Sequence, residues 1–274
     1  LYWAPSTDVI QRDYCSLQIG EAPIPGLGCW DLIFYDRAQA ARSRLEIGKL
    51  VQAQTTSAFG LDVSYDGSRV VFEITDLDAI VAAKGGTFGS FSGNHVVVYD
   101  RPTGVIQPVD ANLDDEIPEG FSTAGKISLD GRYVAFASDA DDLVSGDQNN
   151  WVDVFVRDLA SETTERVSVT SQGGELFAET PFLSQAGNWF SHLDISPDGE
   201  WVVFLSNAPE LDSGDPTWCD TLTSGPILCY NFYLHKRTEH TTEAYTLAPA
   251  PREGNATQAL LRSPNLSAGA EWLA

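Results

Sequence analysis

The residues best placed to do chemistry stand in one short stretch, Asp147-Gln148-Asn149-Asn150-Trp151-Val152-Asp153. Asp147, Asn149 and Asp153 offer oxygen ligands at close spacing, which is how a chain wraps a hard cation such as Ca²⁺. Asp139, Asp141 and Asp142 lie just upstream. The stretch lacks the Gly at the sixth place and the Glu at the twelfth that an EF-hand loop needs. A competing reading makes Asp147 and Asn149 formers of side-chain-to-backbone turns and Asp153 a cap on the next strand.

Other apparent motifs fail on their geometry. Gly89-Ser90-Phe91-Ser92-Gly93 has Phe where a nucleophile elbow needs its Ser. His235, Glu239 and His240 resemble an inverted zincin motif with one residue too many, and they fall in a strand and turn rather than a helix. With only four His in the chain, acid-base work would fall to carboxylates, and no spacing pairs them. Aromatic rings that could stack on sugars include Trp189, Trp201 and Trp218. Trp201 abuts Val202-Val203-Phe204 and reads as core, which leaves Trp218 as the better candidate for an exposed contact.

The elements that must position these residues come from an internal repeat, which decides a fold before any local pattern does. VSYDGSRVVF (Val63 to Phe72), ISLDGRYVAF (Ile127 to Phe136), ISPDGEWVVF (Ile195 to Phe204) and a degraded LSAGAEWLA (Leu266 to Ala274) align. Gly67, Gly131, Gly199 and Ala270 then lie 64, 68 and 71 residues apart. Each Asp-Gly pair supplies the positive φ of a hairpin turn between short apolar strands. A second motif follows: WDLIFYDR (Trp30 to Arg37), HVVVYDRPTG (His95 to Gly104), WVDVFVRDL (Trp151 to Leu159) and YNFYLHKRT (Tyr230 to Thr238). Outer strands are expected at Arg166–Val169 and Ala244–Leu247. Asp36, Asp100 and Asp158 recur at one hairpin and read as turn formers. Helical periodicity is weak, and its best segment, Arg37–Lys49, stands where other units place a turn and outer strand.

The unit is therefore a four-stranded antiparallel meander, and such meanders stack face to face around an axis as propeller blades. The expected blades run 1–56, 57–120, 121–187 and 188–258, with 259–274 opening another. Insertions at Thr75–Asn94 and Asn207–Cys229 read as loops on one rim, where binding concentrates. The strand before each Asp-Gly turn should line the central channel with Asp62, Lys126, Asp194 and Asn265, with His192 nearby.

On these motifs the chain resembles the TolB-like group of WD-type β-propeller repeats, marked by Ser-Pro-Asp-Gly before a Val-x-Phe strand. Ser196-Pro197-Asp198-Gly199 matches in full. Ser64-Tyr65-Asp66-Gly67 and Ser128-Leu129-Asp130-Gly131 lack the Pro, and Ser267-Ala268-Gly269-Ala270 lacks the Asp-Gly. The resemblance implies an all-β propeller. It implies no single activity, because such repeats serve binding proteins, envelope translocation proteins and the propeller halves of peptidases alike.

Composition narrows the rest. Thirty-nine acidic against 16 basic residues, a formal charge of −23, repel nucleic acid and anionic membranes. A chain that is 43% hydrophobic and 20% charged is not disordered, and no run nears the ~18 apolar residues of a membrane helix. Four Cys allow three pairings. The repeat register favours Cys15–Cys29 and Cys219–Cys229, one pair in each of two equivalent insertions, over free buried thiols or a zinc site. Such pairs place the chain in an oxidising compartment, extracellular or periplasmic. The ends at Leu1-Tyr2-Trp3 and Trp272-Leu273-Ala274 supply the same strand, so an arc of a larger ring is expected. The expected function is a non-catalytic scaffold for a protein or glycan partner at its rim loops. The rivals are the propeller of a larger prolyl-oligopeptidase-like hydrolase and a propeller polysaccharide lyase working with channel His and a metal.

Overall fold

The computed structural model describes residues 7–13, 30–36, 41–45, 58–74, 94–118, 120–149, 151–176, 193–206, 208, 210–211, 218–220, 228–245 and 266–267. Every regular element among them is a β-strand. The first sheet is β1 (Thr7–Asp13), β2 (Trp30–Asp36) and β3 (Ala41–Leu45), in that order. The second is β4 (Ala58–Val63), β5 (Arg69–Ile74), β6 (His95–Asp100) and β7 (Val105–Pro108). The third repeats that order with β8 (Ser122–Ile127), β9 (Tyr133–Ser138), β10 (Asp153–Asp158) and β11 (Thr163–Arg166). The fourth contains β12 (Leu193–Ile195), β13 (Trp201–Ser206), β14 (Trp218–Asp220), β15 (Leu228–Lys236) and β16 (Thr241–Tyr245). Here β14 is a short spur on the extended start of β15.

Gly67, Gly131 and Gly199 occupy matching corners of three separate sheets, and the turns around them share one set of bonds. The Ser hydroxyl donates to the Asp carboxylate at 2.9, 2.6 and 2.5 Å, for Ser64–Asp66, Ser128–Asp130 and Ser196–Asp198. The same hydroxyl oxygen accepts the amide of Arg69, Tyr133 or Trp201, which opens the next strand, at 3.0, 2.9 and 2.9 Å. Ser and Asp are therefore fixed by turn chemistry. Gly199 is required twice over: its φ is +72°, and a Cβ there would run into the Tyr133 ring of the preceding sheet.

The core lies between sheets. One apolar cluster joins Val71, Val96 and Val98 of the second sheet to Ile127, Val134 and Phe136 of the third. Another joins Ala135, Val154 and Val156 of the third to Leu193, Val202 and Phe204 of the fourth. Phe72, Phe136 and Phe204, at one position of the repeat, lie in continuously buried runs, as a strand covered on both faces demands. Gly125 lets β8 approach closely, because a Cβ would collide with the Val71 and Val96 side chains. Adjacent sheets are also stitched along the backbone: the Tyr65 amide donates to the Leu129 carbonyl and the Leu129 amide to the Pro197 carbonyl, each at 2.9 Å. Pro197 carries no N–H, so it cannot extend the series.

Several expectations are redrawn. The outer strands are Thr163–Arg166 and Thr241–Tyr245, about three residues earlier than the apolar runs suggested. The chain reverses at once after the third strand: Glu162 donates its amide to the Asp158 carbonyl with φ +57°, as Gly104 does to Asp100 with φ +74°. The Arg37–Lys49 stretch contains strand β3, and the insertion from Asn207 to Cys229 contains β14. The strand paired with β2 is Thr7–Asp13; Leu1–Trp3 lies outside the described residues.

Candidate functional site

Asp147, Asn149 and Asp153 do come together, but around a guanidinium. Arg166, at the end of β11, places Nη1 2.9 Å from Asp147 Oδ1, 3.4 Å from Asp153 Oδ2 and 2.8 Å from Glu175 Oε1. The Asn149 amide nitrogen donates to Asp153 Oδ2 at 2.8 Å and to the Leu176 carbonyl at 3.0 Å, so it presents a donor where a metal would need an oxygen. The Ser168 hydroxyl bonds Asp153 Oδ1. Among the described residues no group of three or more His, Cys, Asp or Glu is arranged to hold a metal ion. The Asp147 and Asp153 side chains are almost wholly buried. Burial pushes Asp147 upward and Asp153 to about 6, with Arg166 pulling both back. The cluster ties the loop before β10 to the segment after β11, a bond that the Gln148 amide reinforces by donating to Glu175 at 2.9 Å.

The sequence reading missed Arg166 and Glu175. The repeat held a clue, because His95, Asp153 and Asn231 stand opposite the last residues of their second strands, Ile74, Ser138 and Ser206. His95 is buried with Nδ1 2.9 Å from Asp110 Oδ2, and Asp110 follows the outer strand at the position Ser168 takes in the next unit. The pairs His95–Asp110 and Asp153–Ser168 pin the same corner of successive sheets with different chemistry.

Two of the expected channel residues clasp neighbouring units. Asp62 Oδ2 accepts the Ile127 amide of the next inner strand at 2.8 Å, and Asp194 Oδ2 accepts the Leu266 amide at 2.8 Å. Lys126 holds the same place between them, cannot accept such a bond, and exerts electrostatic attraction on both carboxylates. Burial raises Asp62 and raises Asp194 to about 7, the Lys126 charge opposing it in each case. Glu73 adds a third clasp, accepting from the Thr123 hydroxyl at 2.7 Å and the Ala124 amide at 2.8 Å. Ala124 adopts φ +66° at a β-bulge of β8. His192 and Asn265 lie outside the described residues, as do Trp189 and Gly89–Gly93.

The recurring Asp residues act as turn formers where described. Asp100 Oδ1 accepts the Thr103 amide and hydroxyl at 3.0 and 2.7 Å, and Asp158 Oδ1 accepts the Ala160 amide at 2.9 Å. Asp158 also pairs with Arg132 through both oxygens at 3.0 and 2.7 Å, which holds its carboxyl far below the usual range. Trp201 is half-buried with the Lys236 ammonium 5.3 Å from its ring centre. Cys219 and Cys229 are direct partners in the β14–β15 register; Cys15 and Cys29 lie outside the described residues.

At the ends of the sheets opposite the Asp-Gly turns, two acidic loops lock together. The Asn112 amide group donates to Asp142 Oδ2 at 2.8 Å, and the Phe121 backbone amide to Asp139 Oδ1 at 2.7 Å. Asp114, Asp115, Glu116, Asp139 and Asp141 are exposed on this rim, with Leu113 at 66% and Trp151 at 39% exposure.

Repeated antiparallel four-stranded sheets, packed face to face and clasped at their inner strands, define an all-β protein built of β-propeller blades. No family model matches the sequence, and no curated protein matches it. Among solved structures, one of two prolyl endopeptidases is similar over 81% of this chain and 27% of its own, at 12% identity and TM-score 0.43. The β-propeller domain of the trilobed protease from Pyrococcus furiosus is similar over 72% of this chain and 43% of its own, at 13% identity and TM-score 0.38. A TolB-type protein from Agrobacterium tumefaciens is similar over 78% of this chain and 73% of its own, at 14% identity and TM-score 0.32. The chain thus spans less than half the length of either protease chain. The assignment to the propeller class rests on the blades of this chain themselves.

Proposed function

We propose that this chain is a non-catalytic propeller scaffold, of the secreted or periplasmic kind, whose acidic rim receives a protein or glycan partner. The observation that carries this reading is the rim formed by the connection after β7 and the loop before β10. No Lys, Arg or His occurs between Arg101 and Lys126 or between Arg132 and Trp151, and hydrogen bonds between the two loops fix the rim in advance of binding. Leu113 and Trp151 stand exposed beside its carboxylates. Exposed apolar side chains among carboxylates suit a partner with complementary charge, which gains orientation and encounter rate from the field. The facing Cys219 and Cys229 support the oxidising compartment, since directly opposed strand residues fall within disulfide reach.

The test is titration of the purified chain with a short fluorescent Lys/Leu peptide and, separately, with a neutral oligosaccharide. Binding to either that weakens about tenfold or more in Trp151→Ala or Leu113→Ala supports the reading. Binding by neither probe, or binding that both variants leave unchanged, overturns it. A Gly-x-Ser-x-Gly segment elsewhere in the same reading frame would move the assignment to the propeller part of a hydrolase.

A further inference from the structure

His235 is buried near the end of β15, opposite Val202 on β13 and Thr242 on β16. Its Nδ1 lies 2.9 Å from the Thr242 hydroxyl, and that hydroxyl lies 2.6 Å from the Val169 carbonyl of the neighbouring sheet's connection. A carbonyl brings no proton, so the single Thr242 hydroxyl proton must lie toward Val169. Nδ1 must then carry the ring's own hydrogen, and the neutral ring donates to Thr242. The backbone of Thr242 completes the junction: its amide donates to the Ser171 hydroxyl at 2.9 Å, and that hydroxyl donates back to the Thr242 carbonyl at 3.0 Å. One residue of an outer strand thus carries much of the bonding between the third and fourth blades at this edge.

We propose that this junction is an acid-released latch, in which neutral His235 holds β16 against the third blade and protonation of its ring frees that strand. A second ring proton can enter only at Nε2, which creates a cation in a buried place. The charges the ring feels there are cationic, His240 on the turn and Arg237 at the end of β15. The carboxylates nearby are committed elsewhere: Glu165 of β11 to Arg237, Glu200 to the Thr238 hydroxyl and Glu239 to Lys236. Glu243 of β16 is exposed. Burial, with those two cations, lowers the His235 pKa from 6.5 to about 4. Above pH 6.5 the ring is neutral whether the latch is open or closed, and no penalty exists. As the pH falls toward 4 only the open form takes the proton, so closure weakens progressively. Integrated over that window, opening becomes about 80-fold more favourable by pH 4.5 and tends toward about 300-fold below pH 4.

Amide hydrogen exchange of the whole chain reads this directly, with rates corrected for the intrinsic pH dependence. Protection of the β16 amides is expected to drop about 80-fold between pH 7.5 and 4.5, while β7 of the second blade, where Tyr99 fills the equivalent place on β6, holds. His235→Asn, whose amide can donate to Thr242 without titrating, should keep β16 protected across the range. Protection of β16 that does not change with pH, an equal loss at β7, or an unchanged pH response in His235→Asn would each overturn the latch. Should that variant not fold, NMR titration of the wild-type ring decides: a midpoint near 4 supports the latch and one near 6.5 refutes it.

Discussion

Arg166 stands where one of the two sequence readings placed a metal ion, and removing it measures what a built-in cation contributes. In Arg166→Met the apolar stem is kept and the guanidinium is lost, leaving Asp147, Asp153 and Glu175 facing one another with side-chain exposures of 4%, 2% and 19%. Breaking a buried ion pair from one side costs about 3–5 kcal/mol. The site can limit that loss by taking a proton, and Asp153 is the group to take it, since burial already holds it at about 6 with Arg166 present. Protonating at pH 7.5 a carboxylate that already stands at about 6 costs about 2 kcal/mol, so the proton caps the loss below that range. The proton route also fixes the pH dependence, because its cost shrinks by about 1.4 kcal/mol for each unit the pH falls. Urea unfolding of wild type and variant at pH 7.5 and 5.0 should therefore show a deficit of about 2 kcal/mol that falls by more than half at the lower pH. Millimolar Ca²⁺ should recover part of the deficit in the variant, which has three carboxylates and no cation, and leave the wild type unmoved. A deficit below about 1 kcal/mol, the size of an exposed pair, or one that does not change with pH, would refute the account.

Two further outcomes follow from the clasps and the cysteines. Asp194→Asn keeps an oxygen for the Leu266 amide but removes a carboxyl that burial raises to about 7. The folded state prefers that carboxyl protonated, so its contribution is complete below the unfolded pKa near 3.9 and is lost as pH rises through 7. The variant should match wild type at pH 4 and exceed it by about 2–4 kcal/mol at pH 9; lower stability at pH 9 would contradict the placement. For the cysteines, mass spectrometry of an unreduced digest should find the Cys219 and Cys229 peptides joined, and alkylation of both thiols without prior reduction would exclude the bond.

The Ser-x-Asp-Gly turns and the strands they open were legible in the sequence because their determinants are local. A hydroxyl two residues before a carboxylate and a Gly with positive φ form the same bonds wherever they occur, so aligned residues build aligned corners. The outer strands were harder to place. Their position follows from the left-handed turn at Gly104, Glu162 and His240 rather than from apolar runs, and two of those three residues give no glycine signal. What fills the Asp147 loop was decided only by the tertiary structure. Arg166 lies 13 residues beyond Asp153 in sequence and reaches it because β11 folds back along β10. Ligand spacing within a loop gives the number of oxygens gathered there. The charge that balances them comes from whichever neighbouring strand delivers a cation, and no pattern within the loop encodes that.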